Sequence, residues 1–227
     1  MRKLSIKNVV EFRSKGPKGK KSFALSLKLD KPKPEAGNSG GGDYWVSCLS
    51  AVSNAFRSND ANFISEKKQE LEDKIPETEF KITRDMYRRN IQILRNYENF
   101  DLKKWRPTKK ITLLKKNRDD FTLVIKGLEI QAAPQHVFLF ERNNGDEVGA
   151  IWLNAKLGGF TVEELGMFTE MLYRYLKTHY SKKYAINTRY CIAVDLFGKT
   201  DVNYLQLESG EVNSVLSETL DEIKRLL

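Results

Sequence analysis

The stretch HVFLFERNNGDEVGAIWLNA, residues 136–155, decides the fold. Two runs rich in aromatic and β-branched residues flank Asn143-Asn144-Gly145-Asp146. Asn and Gly tolerate positive φ, so this tetrapeptide reads as the turn of a hairpin joining strands over His136–Arg142 and Val148–Ala155. Gly158-Gly159 ends the second strand. Thr161 stands three residues before Glu164, the spacing of a capping box, and opens a helix that runs to about His179. Its buried stripe is Leu165, Phe168, Leu172, Tyr175 and His179, where the histidine reads as a packed core residue. Tyr190–Phe197, YCIAVDLF, is the continuous apolar pattern of a strand buried on both faces. A hairpin, a helix and a doubly buried strand predict an α/β fold, a mixed β-sheet flanked by helices.

Outward from this core, Phe121–Lys126 and Leu128–Ala133 read as two further strands and Val202–Leu207 as an edge strand, so 121–207 is expected to form one mixed sheet. A last helix is expected from about Glu211 to Leu227. Towards the N-terminus the period becomes helical. Trp45, Cys48, Leu49, Val52 and Phe56 mark one helix with Asp43 as its N-cap. Asn62–Lys74 marks a second, stopping before Pro76, and about Thr83–Tyr97 a third. Residues 30–43, DKPKPEAGNSGGGD, read as a linker or loop, and the triple glycine lacks any P-loop context. Before it, residues 1–29 read as one or two short helices broken at Gly16-Pro17. The expected division is a basic N-terminal segment and linker over 1–43, a helical part over 44–120 and an α/β core over 121–227, with 44–227 forming one compact unit.

Composition excludes several classes of function. No apolar run approaches the roughly 20 residues of a membrane-spanning helix, and MRKLSIKNVVEFRSK lacks the pattern of a secretion signal. The two cysteines, Cys48 and Cys191, sit in apolar runs as packing residues, which fits a reducing compartment and a cytoplasmic protein. With His136 and His179 the only histidines, a His-rich metal site is excluded. The net charge is +9, and residues 1–33 hold eleven Lys or Arg against Glu11 and Asp30, so the excess lies there. A second basic cluster runs from Lys103 to Arg118 without an acid. Such clusters neutralise phosphates, which makes Lys18, Lys20, Lys21, Lys103, Lys104, Arg106, Lys109 and Lys110 candidate nucleic-acid contacts. They also read simply as solvated surface.

The hairpin carries one further pattern. Pro134-Gln135 stands at the start of its first strand and Asn154-Ala155-Lys156 at the end of its second. With the following helix EELGMFTEMLYRYL and strand YCIAVDLF, this resembles the core of PD-(D/E)XK nucleases of the RecB-like branch. The resemblance covers about residues 121–210. It implies a restriction-endonuclease-like core in which Gln135 and Asn154 occupy positions of two metal-binding acids and Lys156 that of the phosphate-facing lysine. The branch's Gln-x-x-x-Tyr helix pattern is half kept: Tyr173 and Tyr175 are present, with Thr169 and Met171 in the glutamine positions. Amides are poor Mg²⁺ ligands. The resemblance therefore implies a non-catalytic nuclease-fold protein without cofactor, binding DNA or RNA or a protein partner, with Lys156 on a phosphate, as in bacterial defence or mobile elements. Two alternatives stay open. One is a Mg²⁺-dependent nuclease whose acids have moved, with Asp195 and Glu141 as candidates. The other is an interaction module docking through its basic N-terminus.

Overall fold

The computed structural model describes residues 3–28, 44–116, 121–142 and 145–227. The N-terminal half is helical, as its periodicity predicts. After β1 (Leu4–Ser5), the Ser5 side chain accepts from the Asn8 amide and opens α1 (Ile6–Arg13). Pro17 then opens α2 (Pro17–Lys28) at the first helical position, where a missing N–H leaves nothing unpaired. α3 (Val46–Ser58) ends on Asn59 at φ 56. α4 (Asn62–Glu77), α5 (Lys81–Tyr97) and a 3-10 turn, Leu102–Lys104, follow. The strands are β2 (Thr112–Leu113), β3 (Thr122–Ile125), β4 (Leu128–Gln131), β5 (His136–Arg142) and β6 (Gly145–Asn154). Then come α6 (Val162–His179), β7 (Ala185–Asp195), β8 (Thr200–Asn203), α7 (Tyr204–Glu208) and α8 (Leu216–Leu226).

The main sheet has five strands in the order β2-β5-β6-β7-β8. β6 and β7 pair parallel at its centre, and the other neighbours pair antiparallel. A parallel pair needs a crossover, and α6 supplies it. Side chains alternate between two cores because successive residues of a strand point to opposite faces. Val148, Ala150, Trp152, Cys191 and Ala193 face a first core with α1, α2, α6 and α8. Ile151, Leu153, Ile192 and Val194 face a second core with α3, α4 and α5. Gly149 lets β6 fit between its two neighbouring strands: a Cβ there would lie 2.8 Å from the Tyr190 carbonyl on β7 and 2.9 Å from the Phe138 ring on β5.

The hairpin is present, with Arg142 paired to Gly145; Asn143 and Asn144 lie outside the described residues. The Thr161–Glu164 capping box also forms. Several expectations are corrected. β3 and β4 leave the main sheet and join β1 in a separate three-stranded one, where Leu4 pairs with Ile130. Thr112–Leu113, inside the basic connection, takes the edge of the main sheet instead. Alternation identifies a strand but not its neighbour. Val202–Leu207 is not a single strand, because the Asn203 side chain and Gln206 make a capping box that turns 204–208 into a helix. α4 carries through Pro76 to Glu77, since in a last turn proline removes only one backbone bond. α8 starts at Leu216, and the N-cap of α3 is Trp45, without a side-chain bond. Asp43 and the segment 30–43 lie outside the described residues.

Residues 3–28 contribute to the first core, where Leu4, Ile6, Val9, Val10, Phe12 and Leu27 are buried with α6 and α8. Among the described residues no helix is long and apolar enough to cross a membrane.

Phe168 sits edge-on between the Trp152 and Phe160 rings, with centroids 5.4 and 5.6 Å away. Leu172, one turn on, has no exposed surface. Truncating either to alanine removes these contacts and leaves a cavity, so each change should lower stability by about 2–5 kcal/mol in denaturant unfolding. A loss under about 0.5 kcal/mol would place the α6 stripe on another face.

Candidate functional site

The topology brings the motif positions to one end of the sheet. β5 begins there, β6 and β7 end there, and α6 begins above them. Asn154 is the register partner of Asp195. Gln135, Asn154, Lys156 and Asp195 therefore share one end. Glu141 does not: it lies six positions along β5 from Gln135, roughly 20 Å at about 3.3 Å per residue. There it lines a groove of about 510 Å³ with Lys110 and Asp146.

Each residue at the shared end is already held. Beyond His136 the strand β5 gives way, and β6 would have unpaired backbone groups opposite. The Gln135 side chain substitutes for the missing strand. Its Nε2 donates to the Leu153 carbonyl at 2.8 Å, and its Oε1 accepts from the Leu153 amide at 2.9 Å. An ionised carboxylate in its place could only accept. Lys116 closes the same corner, donating to the Pro134 and Gln135 carbonyls at 2.5 and 2.6 Å. Asn154 makes one long contact, Nδ2 to the Trp152 carbonyl at 3.4 Å. Lys156 pairs with Glu164 at 3.2 Å and lies 4.6 Å from the Phe160 ring centroid. Glu164 also accepts from the Thr161 amide as part of the capping box.

Asp195 is fully buried at the end of β7. Its Oδ2 accepts from the Phe160 amide at 2.7 Å and its Oδ1 from the Phe197 amide at 3.0 Å. It thereby ties the loop before α6 to the loop before β8. The fit requires glycine: a Cβ on Gly159, which sits at φ +76, would lie 2.7 Å from Oδ2. Burial pushes the Asp195 carboxyl above its usual range, opposed by the amides of Phe160, Gly198 and Phe197 and by Lys156. Among the described residues no cluster of three or more His, Cys, Asp or Glu is placed to hold a metal.

The basic candidates divide. Arg106 is 5% exposed and belongs to the core. Its guanidinium donates to the Phe56 carbonyl and, at 2.7 Å, to the Lys109 carbonyl, and it caps the end of α3. Lys104 pairs with Asp201 at 2.8 Å, and Lys20 with Glu222 at 2.8 Å. Lys18, Lys21, Lys103, Lys109 and Lys110 are exposed, as is Lys115 beside them, and none has an ion pair among the described residues. Arg118 lies outside the described residues.

Sequence reasoning missed the partners that immobilise the site. Glu164 was visible as a cap but not as the counterion of Lys156. His136 was visible only as a strand residue. Its Nε2 shares a 2.7 Å hydrogen bond with Ser53 Oγ, and its ring stacks on Phe56. Burial, with Lys116 and Arg57 nearby, lowers its pKa to about 4. Comparison of the chain with protein-family models, with curated proteins and with solved structures finds no match.

Two outcomes follow from this geometry. Gln135→Glu keeps the acceptor for the Leu153 amide but replaces the donor with a charge facing a carbonyl. Near neutral pH it should lower stability by about 1–3 kcal/mol. That carboxylate is destabilised in the fold, so its folded pKa rises above the usual value of about 4.3, and the deficit against the parent shrinks as pH falls through the raised value and levels off below roughly pH 4. A deficit independent of pH would remove the charge argument. For His136 the sign is opposite. The fold keeps the imidazole neutral, so its contribution is complete above about pH 6.5 and is lost as pH falls towards about 4. Denaturation midpoints between about pH 7 and about pH 5 should therefore fall more steeply in the parent than in His136→Gln; equal slopes would contradict this.

Proposed function

We propose that this chain is a non-catalytic protein of nuclease-like architecture that binds nucleic acid through its exposed lysines. The observation that carries the first half is the engagement of the motif residues. Gln135 completes the backbone ladder of β6, Lys156 is neutralised by Glu164, and Asp195 is bonded by the amides of two loops. A metal-assisted phosphodiester cleavage needs carboxylates whose lone pairs converge on an open space. Here the two nearby carboxylates are occupied by protein donors. The order hairpin, helix, buried strand supports the nuclease-like comparison, with β6, α6 and β7 forming the parallel unit beside the hairpin.

Charge supports the second half. Lys103, Lys109 and Lys110 are exposed on the connection that runs from the turn after α5 to strand β2 at the sheet edge, and Lys115 is exposed just beyond β2. Unpaired lysines release counterions from a polyanion when they dock on it. Lys156 drops out of the contact set because its charge is already matched.

Binding to a labelled oligonucleotide, followed by fluorescence anisotropy over a salt series, tests this. The parent should bind with an affinity that falls steeply with salt. The triple variant Lys109→Gln, Lys110→Gln, Lys115→Gln should reduce the slope of log K against log salt by about 0.7–0.9 for each lysine that meets a phosphate. A parent that does not bind at low salt would overturn the reading. An unchanged slope in the variant would move the interface away from this connection.

A further inference from the structure

The groove beside Glu141 lies on the edge of the main sheet, at the opposite end of β5 from the motif residues. Its volume, about 510 Å³, is that of a ligand cleft, and Thr108, Lys110, Thr112, Leu139, Glu141 and Asp146 line it among others. The groove exists because β2 is short. Leu114 donates to the Val137 carbonyl at 2.8 Å, so Val137 turns its backbone groups towards β2. These groups alternate along a strand, so Leu139 and Glu141 turn theirs the same way. Leu139 meets Thr112. In the same register Glu141 would meet Lys110, but β2 begins only at Thr112. The Lys110 carbonyl accepts instead from Thr108 Oγ1 at 2.5 Å. On this side the Glu141 N–H and C=O are therefore without a strand partner among the described residues. Open backbone of this kind is a template for another extended chain.

A second, independent observation concerns charge. Glu141 and Asp146 are register partners across β5 and β6, and both are exposed on the groove. Like charges directly opposite each other across a ladder are destabilising. Neither carboxylate has an ion pair or a side-chain hydrogen bond among the described residues, and the adjacent Arg142 pairs with Glu147 at 3.6 Å instead. We propose that the groove receives an extended peptide segment carrying an arginine, which adds to β5 at Glu141. The proposal is separate from the nucleic-acid reading and does not rest on it. The arginine residue exchanges two backbone hydrogen bonds with Glu141. Its side chain then falls on the same face as the Glu141 side chain, because directly opposed residues of a ladder share a face. From there the planar guanidinium fork reaches both carboxylates and offsets their repulsion. A polyanion entering the groove would instead meet two carboxylates.

The test is titration of the whole ¹⁵N-labelled protein with acetyl-Thr-Ala-Arg-Val-Thr-amide, followed by the backbone amide resonances. The Glu141 amide should shift downfield as it gains an acceptor, with saturation at the same peptide concentration as its neighbours on β5. The same peptide with citrulline for arginine keeps the shape and loses the charge, and should bind about three- to ten-fold more weakly. Methylating the arginine backbone nitrogen removes the donor to the Glu141 carbonyl and should weaken binding by a similar factor. The double variant Glu141→Gln, Asp146→Asn changes two exposed side chains, so its spectrum away from the groove should match the parent's. It should bind the arginine and citrulline peptides alike. Four results would each overturn the proposal: no shift of the Glu141 amide, equal binding of the citrulline peptide by the parent, equal binding of the methylated peptide, or a folded double variant that still prefers arginine. A single-stranded oligonucleotide that shifts the Glu141 amide where the peptide does not would assign the groove to nucleic acid and overturn it too.

Discussion

The parallel pairing of β6 with β7 is the constraint from which the rest of this molecule follows. From Val148 to Leu153 and from Cys191 to Asp195 every residue is buried. Such strands need cover on both faces, which α6 with α1 and α8 provides on one side and α3 to α5 on the other. They also need their backbone groups satisfied where the ladder stops. Water is excluded from much of this end, and an unpaired buried N–H or C=O costs free energy comparable to a lost hydrogen bond. The residues at the sheet end answer that demand. Gln135 stands in for a strand, Lys116 collects two carbonyls, and Asp195 gathers amides from two loops.

This solution and metal chemistry compete for the same side chains. A carboxylate that accepts from two backbone amides has few lone pairs left for a cation. A glutamine whose amide is used on both sides cannot be exchanged for an ionised acid without losing the donor. Lys156 and Glu164 neutralise each other at 3.2 Å. In the proposed reading, this end of the sheet serves as a structural closure. The unmatched positive charge lies elsewhere, on α2 and on the connection leading to β2.

Local signals in the sequence read well because their physics is local. The hairpin, the Thr161 capping box and the stripe Leu165, Phe168, Leu172, Tyr175 depend on residues a few positions apart, and all appear in the structure. Non-local pairing did not read. Nothing in Leu128–Gln131 tells that one of its partners is Leu4–Ser5, more than a hundred residues away. The Asn203–Gln206 box was hidden because Val202 to Leu207 also alternates like a strand. A charge count could not separate Arg106, buried under α3, from the free lysines that follow it. Gln135 was legible as a position and not as a role. A motif reading asks what a side chain offers a ligand, whereas its actual partner is the backbone of Leu153.

The central proposal is that the motif residues at this end of the sheet hold the fold together and perform no cleavage, and that the protein holds nucleic acid by charge. Its most direct test follows one sample by two readouts. Labelled single- and double-stranded DNA and RNA are incubated with excess protein and Mg²⁺ or Mn²⁺, and both bound fraction and strand length are measured over time. The account predicts ligand that is bound at low salt and remains full length in every metal. Metal-dependent shortening of the strand, abolished by Asp195→Asn, would contradict it.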